Sequence, residues 1–307
     1  MFLCLSDNSE YMNCPKVLED AIEGLYVAFS RYPLAADTMP CSGCHTSNAN
    51  DLLHAEPLRN LEWKHLREYA RDALFVWGGL EDFKHFLPRI FDLLLNASDW
   101  RQHTPSPESV FRKFRYSEWR SWPQEEQAAV ERMLQAVWET VRSNPAIEGG
   151  YIDVDLWLCS ICQCEDDLGP YLDQWMEDER LSASWALSSL ILGSTIAYTG
   201  TDHSMPVWEN DEAKDAKIQE WFKLPHSGAW WKHCDKQYAQ LQDWVRSPAA
   251  LEKLRRAEVS CGNSEMEREF ATAQRCIREA RSTKFEAVYR DRPFQTAYWG
   301  SPTYRLY

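Results

Sequence analysis

Apolar residues in this chain recur at three- and four-residue intervals, and runs that alternate apolar with polar residues are almost absent. That spacing lines one face of an α-helix and cannot line one face of a strand, so it confines the chain to helical architectures. Residues 15–31 place Val17, Leu18, Ile22, Leu25, Tyr26 and Phe29 on one face. Residues 61–77 and 80–95 read as two further helices parted by Gly78-Gly79, and Pro88 predicts a kink or break in the second. Ser106-Pro107-Glu108 and Ser121-Trp122-Pro123 each announce a helix, the second reaching about residue 141. More helices are predicted over residues 153–164, 168–176, 181–198, 209–222 and 230–245. Ser247-Pro248 opens another, and the capping box Ser264-x-x-Glu267 opens the last.

The expected fold class is therefore all-α, built of stacked antiparallel helix pairs. Pair starts near Leu61, Ser106, Asp153 and Glu209 are 45, 47 and 56 residues apart, close to the period of a HEAT-like α-solenoid. No residue motif repeats between the units, so an irregular helical bundle is the alternative. The helical domain is expected over residues 1–281, with a Cys-rich loop at 33–50. The period is lost over residues 282–307, an irregular aromatic and arginine tail suited to docking. With 307 residues the chain buries roughly three quarters of its unfolded surface, so no metal is needed merely to make a core.

Charge narrows the function. The chain has 33 Lys+Arg against 47 Asp+Glu, a net charge of −14. Broad binding of nucleic acid needs a cationic face, which this balance disfavours. Residues 1–248 carry −17 and residues 249–307 carry +3, an acidic body suited to a basic protein partner. No stretch approaches 18 apolar residues, and MFLCLSDNSE lacks the basic start of a signal peptide. A cytoplasmic protein, not embedded in a membrane, is the expectation. Its ten cysteines would then be thiols or metal ligands.

Pro40-Cys41-Ser42-Gly43-Cys44-His45 is the most specific motif. A glycine turn between two cysteines lets the backbone curl so that both sulfurs face one ion. A tetrahedral zinc would take Cys41 and Cys44, one of His45 or His54, and a ligand from elsewhere. Cys-x-x-Cys-His is also a haem-attachment pattern, but that chemistry needs export. A thioredoxin-like role needs a strand before the first cysteine, and none is predicted. Cys159-Ser-Ile-Cys162, with Cys164 just beyond, lies in helical sequence far from the first pair. Glu62-x-x-His65 lacks the second such pair that a di-iron bundle uses, and Asp82-x-x-His85 lies in a Phe-rich helix. Thr201-Asp202-His203-Ser204 has acid–base residue types, but members of a triad meet through the fold, not along the chain. No phosphate-binding loop, dinucleotide fingerprint, nucleophile elbow or His-Glu-x-x-His occurs. Fifteen tryptophans remain, of which Trp77, Trp100, Trp119, Trp122, Trp175 and Trp208 fall near predicted helix ends. There an indole N–H can satisfy a loose carbonyl while the ring covers the core edge.

Cys41-Ser-Gly-Cys44, Pro57-Leu-Arg59, Leu66-x-x-Tyr69-Ala70, Ala73-Leu74, Trp77-Gly78 and the run from Asp82 to Arg89 (Asp-Phe-Lys-His-Phe-Leu-Pro-Arg) carry a resemblance. Together they resemble a group of bacterial proteins that has no assigned activity. The resemblance covers about a third of the chain, centred on residues 57–94. It implies a bacterial cytosolic protein in which the Cys loop and the 82–89 segment form one recurrent unit. His85 would then compete as a metal ligand.

The expected function is a non-catalytic, protein-binding helical module with a structural zinc loop, for example an immunity or inhibitor protein against a toxin or effector. Two alternatives stand beside it. One is a metal-dependent enzyme built on Cys41, Cys44, His45, His85 and His203. The other is a thiol switch between Cys41 and Cys44.

Overall fold

A computed structural model describes residues 16–36, 38, 49–96, 105–143, 146–147, 150–151, 154–196 and 234–282. The described residues form an all-α protein. Its helices are α1 (Lys16–Phe29), α2 (Ala49–Leu53), α3 (Trp63–Asp72), α4 (Leu80–Asn96), α5 (Pro107–Tyr116) and α6 (Gln124–Ser143), followed by α7 (Val154–Cys162), α8 (Gly169–Glu177), α9 (Leu181–Ile196), α10 (Asp235–Val245), α11 (Pro248–Ser260) and α12 (Ser264–Ser282). Single 3-10 turns occur at Leu58–Asn60 and Trp119–Ser121, and a two-residue antiparallel ladder joins Ala146–Ile147 to Gly150–Tyr151. No described helix is long and apolar enough to cross a membrane.

α1 lies between α4 and α6, pressing Leu18, Ile22, Leu25 and Phe29 into the core. α5 packs on α7 and α3. α9 packs on α6, α7, α11 and α12, with Ala183, Ala186, Leu187, Leu190 and Ile191 buried. A one-dimensional repeat array touches only sequential neighbours. The α1–α6 contact spans four intervening helices, so it is not a contact between sequential neighbours.

Local chemistry explains where helices start and stop. Glu62 and His65 form a reciprocal capping box in which His65 Nδ1 accepts from the Glu62 N–H at 2.9 Å. The Glu62-x-x-His65 pair is thus a helix start. α3 ends at Asp72, five residues short of expectation, because Leu74 takes a positive φ and its N–H bonds back to the Trp77 carbonyl. Pro88 does not break α4. A helix-interior proline costs about 3 kcal/mol, whereas burying Phe83, Phe86, Leu87, Ile90 and Phe91 each contributes roughly 1.5–3 kcal/mol. Ser247 caps α11 by accepting from the Ala250 N–H at 3.1 Å. At α12 the cap sits one residue earlier than expected, because Asn263 Oδ1 accepts from the Met266 N–H at 3.2 Å.

The indole expectation holds where it can be read. Trp77 donates to the Thr38 carbonyl at 2.7 Å, Trp119 to Cys164 at 3.0 Å, Trp122 to Ser117 at 3.0 Å and Trp175 to Ala183 at 2.8 Å. Trp100 and Trp208 lie outside the described residues, as do the predicted 209–222 helix, His203 and most of the 282–307 tail.

Candidate functional site

Of the expected metal ligands, Cys41, Cys44 and His45 lie outside the described residues. The flanks of their loop are described. The Thr38 N–H donates to Asn50 Oδ1 at 3.3 Å, which clasps the two flanks together. Thr38 is held in turn by the Trp77 indole and by Asp82, to whose Oδ1 its hydroxyl donates at 3.4 Å. Six residues earlier, the Tyr32 carbonyl lies 2.7 Å from His85 Nδ1. A carbonyl only accepts, so Nδ1 carries the proton and the neutral ring keeps its lone pair on Nε2. Metal-binding histidines are commonly anchored in this way. The leading flank of the Cys loop therefore runs along the first turns of α4, beside the 82–89 segment. His54, by contrast, is exposed just past α2. Among the described residues no group of three or more His, Cys, Asp or Glu side chains is arranged to hold a metal ion, so His54 and His85 alone make no site.

Gly78 is the tight point of this junction. Its φ is +68°, and a Cβ there would stand 2.9 Å from Thr38 Cγ2 and 3.0 Å from Asp82 Oδ2. Asp82 Oδ2 already accepts the Gly79 N–H at 2.8 Å. Gly78→Ala is expected to cost about 2 kcal/mol in urea unfolding, from the left-handed backbone plus displacement of Thr38. A loss below about 0.5 kcal/mol would show that the junction is soft. Beside it the Tyr69 hydroxyl is buried with no hydrogen-bond partner among the described residues, and burial together with the Asp82 charge raises its pKa.

Two buried lysines, Lys84 and Lys113, and the exposed Arg115 show how this fold uses charge. Lys84 Nζ, on α4, is 2.7 Å from Glu126 Oε2 on α6, and both side chains are buried. The Tyr32 hydroxyl donates to Glu126 Oε1 at 2.6 Å, Arg31 pairs with the same oxygen, and the Lys84 ammonium lies 4.4 Å from the Trp122 ring. Oε2 has the ammonium close by but no directed hydrogen bond. The knot joins the end of α1 to α4 and α6. Arg115, on α5, donates to the carbonyls of Cys162, Gln163 and Glu165 at 3.0–3.1 Å and so closes the end of α7.

Lys113 is fully buried on α5, with Nζ donating to the Arg71 carbonyl at 2.9 Å and the Ser109 carbonyl at 3.1 Å. Burial pushes its pKa from 10.5 down to about 7. Above pH 7 the unfolded chain holds a proton that the native chain has released. Unfolding therefore takes up a proton, and stability climbs as pH rises from about 7 towards 10.5. The difference in unfolding free energy between wild type and Lys113→Met is expected to change by up to about 1.4 kcal/mol per pH unit in that window. A flat difference curve would show a folded-state pKa near the ordinary one.

Directly over this lysine lies an apolar surface. The Phe75 ring is 5.1 Å from Lys113 Nζ and 4.8 Å from the Tyr116 ring. Phe75 is 45% exposed, Val76 41% and Tyr116 59%. They come from the α3–α4 turn and the end of α5, so two separate segments build one aromatic face. No sequence signal marks it, because Phe75 and Tyr116 read as ordinary members of helical runs. Comparison of the chain with protein-family models, curated proteins and solved structures finds no significant match.

Proposed function

We propose that this protein is a non-catalytic helical module that binds another protein through the Phe75–Val76–Tyr116 face. The observation that carries the reading is the convergence of two exposed, contacting aromatic rings, one from the α3–α4 turn and one from the end of α5, on one surface. Aromatic side chains dominate the energy of protein interfaces, and adjoining exposed apolar groups mark such surfaces. The charge of −14 supports a basic partner, drawn in electrostatically and then held by the apolar contact. Neutralisation of a basic toxin or effector in a bacterial cytoplasm is the concrete form of this function.

In the same reading the Cys41–Cys44 loop binds a structural zinc, with His45 or His54 as third ligand and His85 competing for a place. The anchored Nδ1 of His85 and the attachment of the loop flank to α4 support it. Elemental analysis of wild type beside Cys41→Ser/Cys44→Ser is expected to show about one zinc lost, with a lower melting temperature. Equal metal content in both proteins would sink the zinc loop. A bound zinc with an open, water-bearing position would turn the reading towards a metalloenzyme.

The binding test uses partners purified from the host, identified by mass spectrometry and rebound as single components. The expected partner is basic. Its Kd should weaken about tenfold or more with Phe75→Ser/Tyr116→Ser, and also weaken at high salt. A partner that binds wild type and variant equally, at low and high salt alike, would dismiss this face and this charge as the contact.

A further inference from the structure

The Lys113 amine is buried under the aromatic face among neutral partners. Nζ donates to the Arg71 carbonyl at 2.9 Å and the Ser109 carbonyl at 3.1 Å, and the Phe75 ring centre stands 5.1 Å away. A neutral amine has two N–H groups and matches these two carbonyls donor for donor. An ammonium has a third N–H and a lost hydration shell, which a ring face only partly repays. The carboxylate of Asp72, at the end of α3, acts on the amine from nearby but is engaged by Arg71 at 2.7 Å. Arg71 and Arg112 add like charge. Asp155 of α7 and Arg120 of the 119–121 turn, the charged side chains of the other elements packed on α5, make no bond to it. Tyr116 is the remaining titratable side chain of the face.

The backbone under Phe75 is fixed, whereas its ring is free to turn. The Phe75 N–H donates to the Asp72 carbonyl at 3.2 Å, the Val76 N–H to the same carbonyl at 3.1 Å, and the Leu74 N–H to the Trp77 carbonyl at 3.2 Å. The ring itself is 45% exposed and rests edge-on against Tyr116 at 4.8 Å. A change of side-chain rotamer therefore uncovers Lys113 without unwinding the turn.

We infer that Lys113 makes the Phe75–Val76–Tyr116 face proton-gated: the neutral amine keeps the Phe75 ring seated against Tyr116, and protonation turns that ring away so that water reaches the ammonium. The gate rests on the reading of this face as a docking surface and adds its regulation. Burial holds the amine of the seated form at about 7, against 10.5 for an amine in water. Between these values the turned-out form binds a proton that the seated form lacks. Each pH unit downward thus favours the turned-out ring by up to about tenfold, roughly 3,000-fold over the whole window. Below about 7 both forms carry the proton and the bias stays at its full extent; above 10.5 neither does and the ring stays seated. Acidification dismantles the docking face, and a rise in pH rebuilds it.

The test uses the full-length protein without a partner. Para-fluorophenylalanine placed at position 75 alone reports the ring by fluorine NMR, and carbon-labelled lysine reports the Lys113 Cε in the same samples. As pH falls through the window the fluorine signal is expected to move towards its position in unfolded protein, and Lys113 Cε to titrate with the same midpoint. In Lys113→Met the fluorine signal should stay at the seated position throughout. A wild-type signal that does not move overturns the gate, whether or not the variant folds. Different midpoints for ring and lysine overturn it too, as does the same movement in Lys113→Met. A failed gate leaves the docking reading standing, because that reading is decided separately by partner binding to Phe75→Ser/Tyr116→Ser.

Discussion

Lys84→Met is expected to lower the unfolding free energy by about 3 kcal/mol or more, the largest effect of any single change to a charged residue here. The substitution leaves Glu126 ionised inside the bundle, and removing one partner of a buried pair typically costs roughly 3–5 kcal/mol. The lower end is expected because Arg31 and the Tyr32 hydroxyl still hold Oε1. Arg31 is about half exposed, so Arg31→Ala should cost no more than about 1 kcal/mol. The double variant Lys84→Met/Glu126→Leu should recover most of the loss, since it removes both charges together. Guanidinium unfolding of the four proteins gives the comparison. A double variant no more stable than Lys84→Met would mean that the cost is one of packing around α4 and not of an unpaired charge.

Trp175→Ala is expected to cost about 3–5 kcal/mol in unfolding free energy. Trp175 is fully buried on α8. Its ring meets Trp138 of α6 edge-on at 5.2 Å and stacks on Trp244 of α10 at 4.9 Å. Its indole N–H also satisfies the Ala183 carbonyl in the first turn of α9, at 2.8 Å. One side chain thus joins four helices. Trp175→Phe keeps most of the ring contact but leaves that carbonyl open, so a loss of about 1–3 kcal/mol is expected. Equal losses for Phe and Ala would assign the whole effect to the hydrogen bond.

Nearby residues in the chain carry much of this fold. The three- and four-residue spacing in α1, the Pro107 and Pro248 starts and the indole groups near helix ends all act over one or two turns, and all are legible from the amino acids. The structure departs from the local pattern where a distant segment intervenes. Pro88 predicts a kink or a break, and the break does not occur, because the apolar face around it is buried deeply enough to keep α4 continuous. The helix expected through residue 77 stops at Asp72, where the turn delivers Trp77 to Thr38. Glu62-x-x-His65 has the residue types of a ligand pair, yet a capping box uses the same i, i+3 spacing. Spacing alone does not separate the two.

The candidate sites were less legible. The Cys41–Cys44 motif is visible because its chemistry is compact in sequence. Its link to α4 is not, because Tyr32, Thr38, Asp82 and His85 meet only after α1 and α4 have packed. Phe75 and Tyr116 lie 41 positions apart. No periodicity links such partners.

Helix formation is a matter of near neighbours: backbone hydrogen bonds close within four residues, and side-chain period selects the buried face. The amino-acid order therefore dictated the all-α class, most helix starts and the acidic character of the chain. Which charges are buried together and which rings stay exposed depend on contacts made across dozens of residues. Those were decided by how the helices packed, because only close packing brings such groups within the few ångströms over which hydrogen bonds and ring contacts act.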